Sequence, residues 1–446
     1  MMDKLKSVLL AALVMVSMIQ SYFLAYNMPN MKAKVNTEQD YVKTEPLGAE
    51  EDAKNLIFPE MLVLHMGGDK HTVFYPNKTF YKEILGKLQG REFKGFQRDS
   101  VGVVDWNEVR REDNGIELRF GRPVPFDLLR KVFKIDGDFL FSRDSVDRIW
   151  IFSRADREEV RTFFFSADGR SVYESLRADL TVGDVTQVVG FGQYGLSYST
   201  GDGEVYIPDK PYDGVPQMQV PITRFTPEQM QRNLFFDAAI TRTAQGNQED
   251  TQIYTDGKKL LLVGQNGGWM GYSDPAAPAD AVNDLVDNFM AAVQFVNQHG
   301  GWNGTYRLTQ APVPDTLNGA TSEDNVIRFQ QYYGKVPLVS SGSMTFGYMQ
   351  LTMQQGAVSS YERSLLQLDM NTQTNKKVRL LPGGNDLRQL INRAAGGERI
   401  EALYPAYRPS EAKDVITLYP VWVIRLASGE ERIVTESGPV QTKTNP

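Results

Sequence analysis

Residues 8–26 (VLLAALVMVSMIQSYFLAY) run for 19 positions without a formal charge, and this stretch limits what the chain can be more than any other. A helix of that length rises about 28 Å, close to the thickness of a bilayer's hydrocarbon core. Lys4 and Lys6 precede it, so the excess of positive charge predicts a cytoplasmic N-terminus, residues 1–7, with everything after Asn27 outside. Tyr22, Phe23 and Tyr26 stand at the exit end, where an interfacial aromatic belt belongs. A cleaved signal peptide is the rival reading. The apolar run is long for that, and Ala25 is followed by Tyr26-Asn27-Met28-Pro29 rather than a small-x-small site. The expectation is a single-pass cell-membrane protein whose bulk is extracytoplasmic. Within the span Ser17, Ser21 and Ala25 recur every four residues with Gln20 beside them. Small residues let helices approach closely and a buried amide seeks a partner, so these four form a candidate helix-pairing face.

Charge and cysteine content exclude several classes. The 446 residues carry 48 basic and 55 acidic side chains, a net charge of −7. Without residues 1–26 the balance is 46 against 54. Such a chain lacks the basic face that nucleic acid requires and is not built to lie on anionic lipid. It has no cysteine, which rules out disulfide frameworks, thiolate metal sites and cysteine nucleophiles.

Patterning divides the remainder. Residues 27–55 are polar and aperiodic, a tether too hydrophilic to build a core. Residues 56–225 are expected to form an N-terminal α+β domain. It opens with a hairpin, Met61–Met66 and His71–Tyr75 around Gly67-Gly68-Asp69, and a helix on Phe80, Tyr81, Ile84, Leu85 and Leu88. Strands follow at Gly115–Phe120, Asp147–Ser153 and Val160–Phe165, with the four prolines of residues 200–224 marking the exit. A central α+β domain, 226–375, starts at the N-cap signal Thr226-Pro227 and contains the clearest helical face, Val282 to Val296, ended by His299-Gly300-Gly301. The C-terminal α+β domain, 376–446, repeats that order: a helix on Leu387, Leu390, Ile391 and Ala394, the stop Gly396-Gly397, a Tyr407-Arg408 segment matching Tyr306-Arg307, then a Val-Ile strand. The fold class is therefore α+β in three extracytoplasmic parts behind one transmembrane helix, the last two alike, each a helix on an antiparallel sheet.

The search for catalytic chemistry returns nothing specific. Gly190-Phe-Gly192-Gln-Tyr-Gly195 has the spacing of a dinucleotide loop, but strand and turn residues follow where a helix is needed, so it reads as a glycine-rich β-connection. His65, Asp69 and His71 have the spacing H-x3-D-x-H, but the two histidines fall on opposite limbs of the hairpin and are expected to be exposed strand residues rather than metal ligands. His299 reads as a helix C-cap. Ser410-Glu-Ala-Lys413 matches S-x-x-K without its companion motifs, and no G-x-S-x-G, Walker loop or H-E-x-x-H occurs. The chain is read as a non-enzyme with no cofactor and no metal. Tyr332, Tyr333, Tyr404, Tyr407 and Trp422 crowd the last two modules; alternating aromatics are commonly sheet core, but facing outward they would make a partner surface.

The anchor at 8–26, the stretch F-V-N-Q-H-G-G-W (295–302), V-I-R-F-Q-Q-Y-Y-G-K-V-P-L-V (326–339) and Y-P-V-W (419–422) together resemble the YycH family. The resemblance covers nearly the whole chain through layout and loose motifs. It implies an accessory membrane regulator, without established catalytic residues, that acts with a YycI-like partner on the sensor histidine kinase YycG, also called WalK, of the essential cell-wall two-component system. The expected function is restraint of that kinase through transmembrane and extracytoplasmic contacts. The alternative is an anchored extracytoplasmic binder of a cell-wall or small-molecule ligand, which would require a pocket with converging polar groups.

Overall fold

Strand β1 (Met61–Met66) is buried on both faces, and the layering of the protein follows from that. Leu62 and Leu64 enter one apolar core while Met61 and Val63 enter another. The computed structural model describes residues 46–434 and 440–441 apart from 138–143, 155–157, 237–241, 246–250, 265–266, 276–283, 312–324, 341–345, 355 and 435–439. The expected anchor 8–26, with Ser17, Gln20, Ser21 and Ala25, lies outside the described residues. Among the described residues no helix is long and apolar enough to cross a membrane.

Around β1 stand β2 (His71–Phe74), β3 (Glu92–Ser100), β4 (Asn114–Pro125), β5 (Lys134–Asp136), β6 (Ser145–Ser153), β7 (Val160–Ser166), β8 (Ser171–Ala178), β9 (Tyr198–Thr200) and β10 (Tyr206–Pro208). They form a ten-stranded sheet in the order β10-β9-β2-β1-β4-β6-β7-β8-β3-β5. The pairing is antiparallel except between β3 and β5. Helices Thr79–Gln89 and Val182–Val189 bury Ile84, Leu88, Val185 and Val188 against one face. Helix Trp106–Glu112 covers part of the other through Val109, over Trp150, Phe152 and Phe163.

The next strand, β11 (Gln217–Arg224), leaves this sheet altogether. The sequence reading placed it at the exit of the first domain; it pairs instead with a strand near the C-terminus. The central sheet comprises β12 (Arg242–Gln245), β13 (Gln252–Thr255), β14 (Leu260–Gly264), β15 (Trp269–Ser273), β16 (Thr305–Gln310), β17 (Val326–Tyr333), β18 (Val336–Pro337), β19 (Tyr348–Gln354) and β20 (Ala357–Ser364). The third sheet contains β11 with β21 (Leu366–Leu368), β22 (Thr374–Lys377), β23 (Ile400–Ala412), β24 (Val415–Leu426), β25 (Glu431–Val434) and β26 (Val440–Gln441). Chain patterning cannot reveal that a strand joins a sheet completed two hundred residues later, because its alternation is the same whichever edge it meets.

Local signals hold where they are chemically specific. Thr226 caps helix Pro227–Leu234 in a reciprocal box with Gln229, and Pro227 opens the helix. His299 closes helix Leu285–Gln298, with Nδ1 2.7 Å from the Phe295 carbonyl. Helix Leu285–Gln298 leads through Gly300-Gly301 into the antiparallel pair β16 and β17; helix Gly384–Ala395 leads through Gly396-Gly397 into β23 and β24.

The supposed tether is not free along its whole length. Leu47 and Gly48 donate their amides to the Gly300 carbonyl at 2.6 and 2.9 Å, and Ala49 exchanges both backbone bonds with Trp302. The Glu51 amide and carbonyl are held by the side chain of Asn297, which also accepts from the Trp302 indole. This backbone-to-backbone strap needs glycine opposite it. Gly301 has φ +83°, and a Cβ there would stand 2.7 Å from the carbonyl oxygens of Gly48 and Ala49. A polar segment can therefore pack tightly through main-chain bonds that hydropathy does not register.

Glu60, just before β1, ties all three sheets. Its carboxylate receives Arg425 of β24 at 2.6 Å and Arg307 of β16 at 3.3 Å. Arg307 also donates to the Phe120 carbonyl and Arg425 to that of Gly121, both in β4. Burial pushes the Glu60 carboxyl up, but the Arg425 and Arg307 guanidiniums outweigh burial and hold it below the usual range.

Two outcomes are expected. Glu60→Gln leaves the buried Arg307 without its anion and Arg425 with Glu431 alone, and should cost about 3–5 kcal/mol in denaturant unfolding at pH 7. Because the folded pKa is depressed, the contribution of Glu60 is present above the unfolded value and is lost as pH falls through the folded one. The gap between wild type and variant should therefore narrow below about pH 4. Gly301→Ala should lower the melting temperature and open residues 44–52 to limited proteolysis, whereas an unchanged cleavage pattern would mean that the strap is not held by this contact.

Candidate functional site

The outward face of the first sheet carries charges at positions where a β-pattern calls for apolar residues. In register across β1, β4, β6 and β7 run the rows Met61–Arg119–Arg148–Phe165 and Val63–Glu117–Trp150–Phe163. Beside the first row the ladder breaks. Val146 faces Ser166 and Arg148 faces Phe165, so Asp147 is an extra residue in β6, while residues 120–123 loop out of β4 opposite it. A bulge of this kind re-aims side chains, and here it puts Asp147 and its neighbour Arg148 in the wall of one cleft.

That cleft has a volume of about 470 Å³. The sheet forms its floor; Trp106 and Arg110 of helix Trp106–Glu112, the β7–β8 turn, Glu204, Glu401 and Arg425 of the third sheet, and Arg399 just before β23 complete the walls. Beneath the floor Glu117 is fully buried, with Arg119 Nη2 at 3.0 Å and Arg148 Nη1 at 3.2 Å. Burial raises the Glu117 carboxyl, but the guanidiniums of Arg119 and Arg148 override it and hold it far below the ordinary carboxylate range. Arg148 continues to Glu204 at 2.9 Å. Arg119 donates to the carbonyls of Gly203 and Glu204. Gly203 has φ +81°, a left-handed backbone that favours glycine, and a Cβ there would force the Arg110 guanidinium to move. Asp147 behaves differently. Burial pushes its carboxyl up to about 6, Arg148 opposing and Glu204 adding to the rise, and Oδ1 has no hydrogen-bond partner among the described residues.

His65 and His71 correct the expectation of exposed strand histidines. They are directly paired across the hairpin and both buried, with the two Nδ1 atoms 3.0 Å apart. His71 Nε2 lies 3.2 Å from Asp69 and His65 Nε2 lies 3.5 Å from Glu117. Three contacts each call for one proton, and two neutral imidazoles supply two. The longest contact is the one left without a proton, because Glu117 is already served by two arginines. Thus His71 donates to Asp69 and His65 to His71. Burial drives His65 down to about 4, which keeps the pair neutral. With each Nδ1 engaged by the other, the pair does not converge on a metal ion.

The aromatic candidates are spent inside the chain. Tyr332, Tyr333, Tyr404, Tyr407 and Trp422 are each no more than 2% exposed. They pack where the sheets meet: Tyr407 donates to the Pro216 carbonyl, Trp422 to that of Pro382, and Arg425 lies over the Tyr404 ring. The outward orientation that a partner surface requires is absent because each ring fills the contact between modules. Gly190–Tyr194 is a 3₁₀ continuation of helix Val182–Val189 and precedes a strand, so no helix N-terminus faces it. Ser410 is in β23 and Lys413 occupies the turn to β24 at φ +57°. The sequence search missed the charged cleft. Its signal was present as Glu117-Leu-Arg119 and Asp147-Arg148 inside otherwise apolar β-runs.

Residues 3–188 match the family model described as YycH protein, N-terminal domain, and residues 202–434 match YycH protein, C-terminal domain. The chain belongs to the YycH family, a family of membrane-anchored accessory regulators linked to the YycG/WalK two-component system and not a known enzyme family. The crystal structure of YycH from Bacillus subtilis superposes with a TM-score of 0.67 at 17% identity, covering 89% of this chain and 100% of that one. An uncharacterized protein from Eubacterium rectale aligns at a TM-score of 0.34 and 8% identity over 58% of this chain and 90% of its own, too weakly to inform the argument. No curated protein matches the chain.

Asp147 generates a prediction with a defined sign. Its folded pKa, about 6, lies above the unfolded carboxylate value, so its cost is absent below the unfolded value, grows as pH rises from about 4 to 6, and is fully present above that. Asp147→Asn should raise stability by about 1–3 kcal/mol at pH 7.5 and by little at pH 4, measured by urea unfolding at both.

Proposed function

We propose that the chain restrains the YycG/WalK sensor kinase in concert with a YycI-like membrane partner, the contacts running through helix 8–26 and the extracytoplasmic part. The match of both YycH family models, together spanning nearly the whole chain, carries this reading. Ser17, Gln20, Ser21 and Ala25 supply the face through which the anchor packs against kinase or partner helices. The strap at Leu47–Glu51 supports the idea, since a bound main-chain segment at the start of the folded part transmits force better than a slack linker. The recurrence of helix, glycine stop and two antiparallel strands supports a common origin for the last two modules.

A shift of about 1–3 kcal/mol in a two-state kinase alters its balance roughly 5- to 150-fold, within reach of a few helix contacts. Replacing Ser17, Ser21 and Ala25 together by Leu should raise output from a kinase-dependent reporter severalfold at normal protein level. Unchanged output would remove the proposed face; a fall would reverse the sign of regulation. A photo-crosslinking residue at Ser21 in native membranes should capture the kinase or a second single-pass protein, and lipid adducts alone would reduce the anchor to a tether.

A further inference from the structure

The cleft described above is lined by five arginines and five carboxylates, yet its internal bonding does not balance. Glu60 is doubly engaged by Arg425 and Arg307. Glu204 takes Arg148 at 2.9 Å, and Asp168 accepts the amides of Arg170 and Ser171 at 2.8 and 2.9 Å together with the Ser171 hydroxyl. Both oxygens of Glu60 and of Asp168 are therefore in use, and one oxygen of Glu204. Asp147 keeps one bare oxygen, and Glu401 stands exposed at the rim.

The donors are in surplus. Arg110, 7% exposed, has a single side-chain hydrogen bond among the described residues, to Asn107, and lies over the face of Trp150. Its Nε, the Nε of Arg119 and of Arg148, and the indole Nε1 of Trp150 have no hydrogen-bond partner among the described residues. Arg119 is 6% exposed, so these are donors withdrawn from bulk water as well. Arg399 at the mouth makes no side-chain bond or ion pair among the described residues. The Trp150 indole N–H faces Gly115 within the sheet, but Arg110, Arg119 and Arg148 line the cleft, and three incompletely satisfied guanidiniums in one wall fit a site whose acceptors come from outside the chain. Trp106, Trp150 and Phe165 provide an apolar wall beside them.

We propose that this cleft is a binding site for a small anionic solute rich in hydrogen-bond acceptors, a phosphate- or carboxylate-bearing molecule, held by Arg110 and Arg119 within and Arg399 at the mouth. The volume accommodates a molecule of monosaccharide-phosphate or tricarboxylate size rather than a chain of residues. Arg425 is in the third sheet and Arg399 directly precedes its strand β23, while Arg119 and Arg148 are in the first sheet and Arg110 is on the helix that covers it, so an occupant bridges two layers of the fold. Asp147 opposes it, a carboxylate in the same wall. The site is independent of the kinase contact proposed above, and either can fail without the other.

The test is isothermal titration of the full chain in detergent micelles at pH 7.5 with inorganic phosphate and, separately, citrate, followed in parallel by tryptophan fluorescence. The expected result is saturable one-to-one binding of at least one of them. Arg399→Gln, at an exposed position that folding does not need, should weaken it about tenfold. Asp147→Asn should tighten it severalfold by removing a like charge. Because Asp147→Asn is also expected to stabilise the fold, both variants are titrated at a temperature where melting curves show wild type and variants fully folded, so that opposite effects on affinity report the site and not stability. Phosphate binding with citrate silent assigns a phosphorylated ligand, and the converse a carboxylated one. No saturable binding of either anion up to 10 mM (about a thousandfold above a typical metabolite-site Kd), or equal affinity in wild type and Arg399→Gln, overturns the proposal.

Discussion

Glu60 is where the architecture converges. One buried carboxylate accepts from Arg425 and Arg307, and those guanidiniums reach on to the carbonyls of Gly121 and Phe120. Three sheets built from distant parts of the chain thus share one charge cluster of two cations and one anion, with Glu431 adding a second carboxylate at 3.2 Å from Arg425. Ion groups buried this deeply gain little net stability over apolar packing, but each partner becomes costly to remove. The arrangement therefore acts mainly on specificity: it selects the one docking of three sheets in which no charge is stranded.

Around that point the first sheet is buried on both faces, by helices on one side and by the third sheet and helix Trp106–Glu112 on the other. The two coverings of the outer face do not meet. The gap between them is the cleft, and the residues that face it are the polar ones, Arg119, Arg148 and the bulged Asp147. A sheet face left partly uncovered would ordinarily be a liability of exposed apolar surface. Here it is charged where it is open and aromatic where it is closed. The same logic applies at the strap, where polar residues 47–51 hold to Gly300–Trp302 through main-chain bonds and a single Asn297 side chain.

Membership of the YycH family puts these features in a regulator linked to a sensor kinase. A regulator needs no catalytic geometry, and the paired histidines illustrate the difference. His65 and His71 have the neighbours of a proton relay, Asp69 and Glu117, but are kept neutral by burial and locked to each other.

Much of the local structure was legible in the sequence because its causes are local. The β1–β2 hairpin follows from Gly67-Gly68-Asp69 between apolar runs, helix Pro227–Leu234 from Thr226 and Gln229, and the two helix stops from paired glycines. Those signals depend on φ/ψ preferences and on hydrogen bonds a few residues apart, which neighbours in sequence determine. The burial of Tyr332, Tyr333, Tyr404, Tyr407 and Trp422, the placement of β11 in the third sheet, the docking of the strap and the grouping of Glu60, Arg307 and Arg425 were decided by tertiary structure alone. Each depends on which surface meets which across separations of a hundred residues or more. A strand's alternation, an aromatic side chain or a single arginine has the same pattern whether its partner is solvent, another module or a ligand.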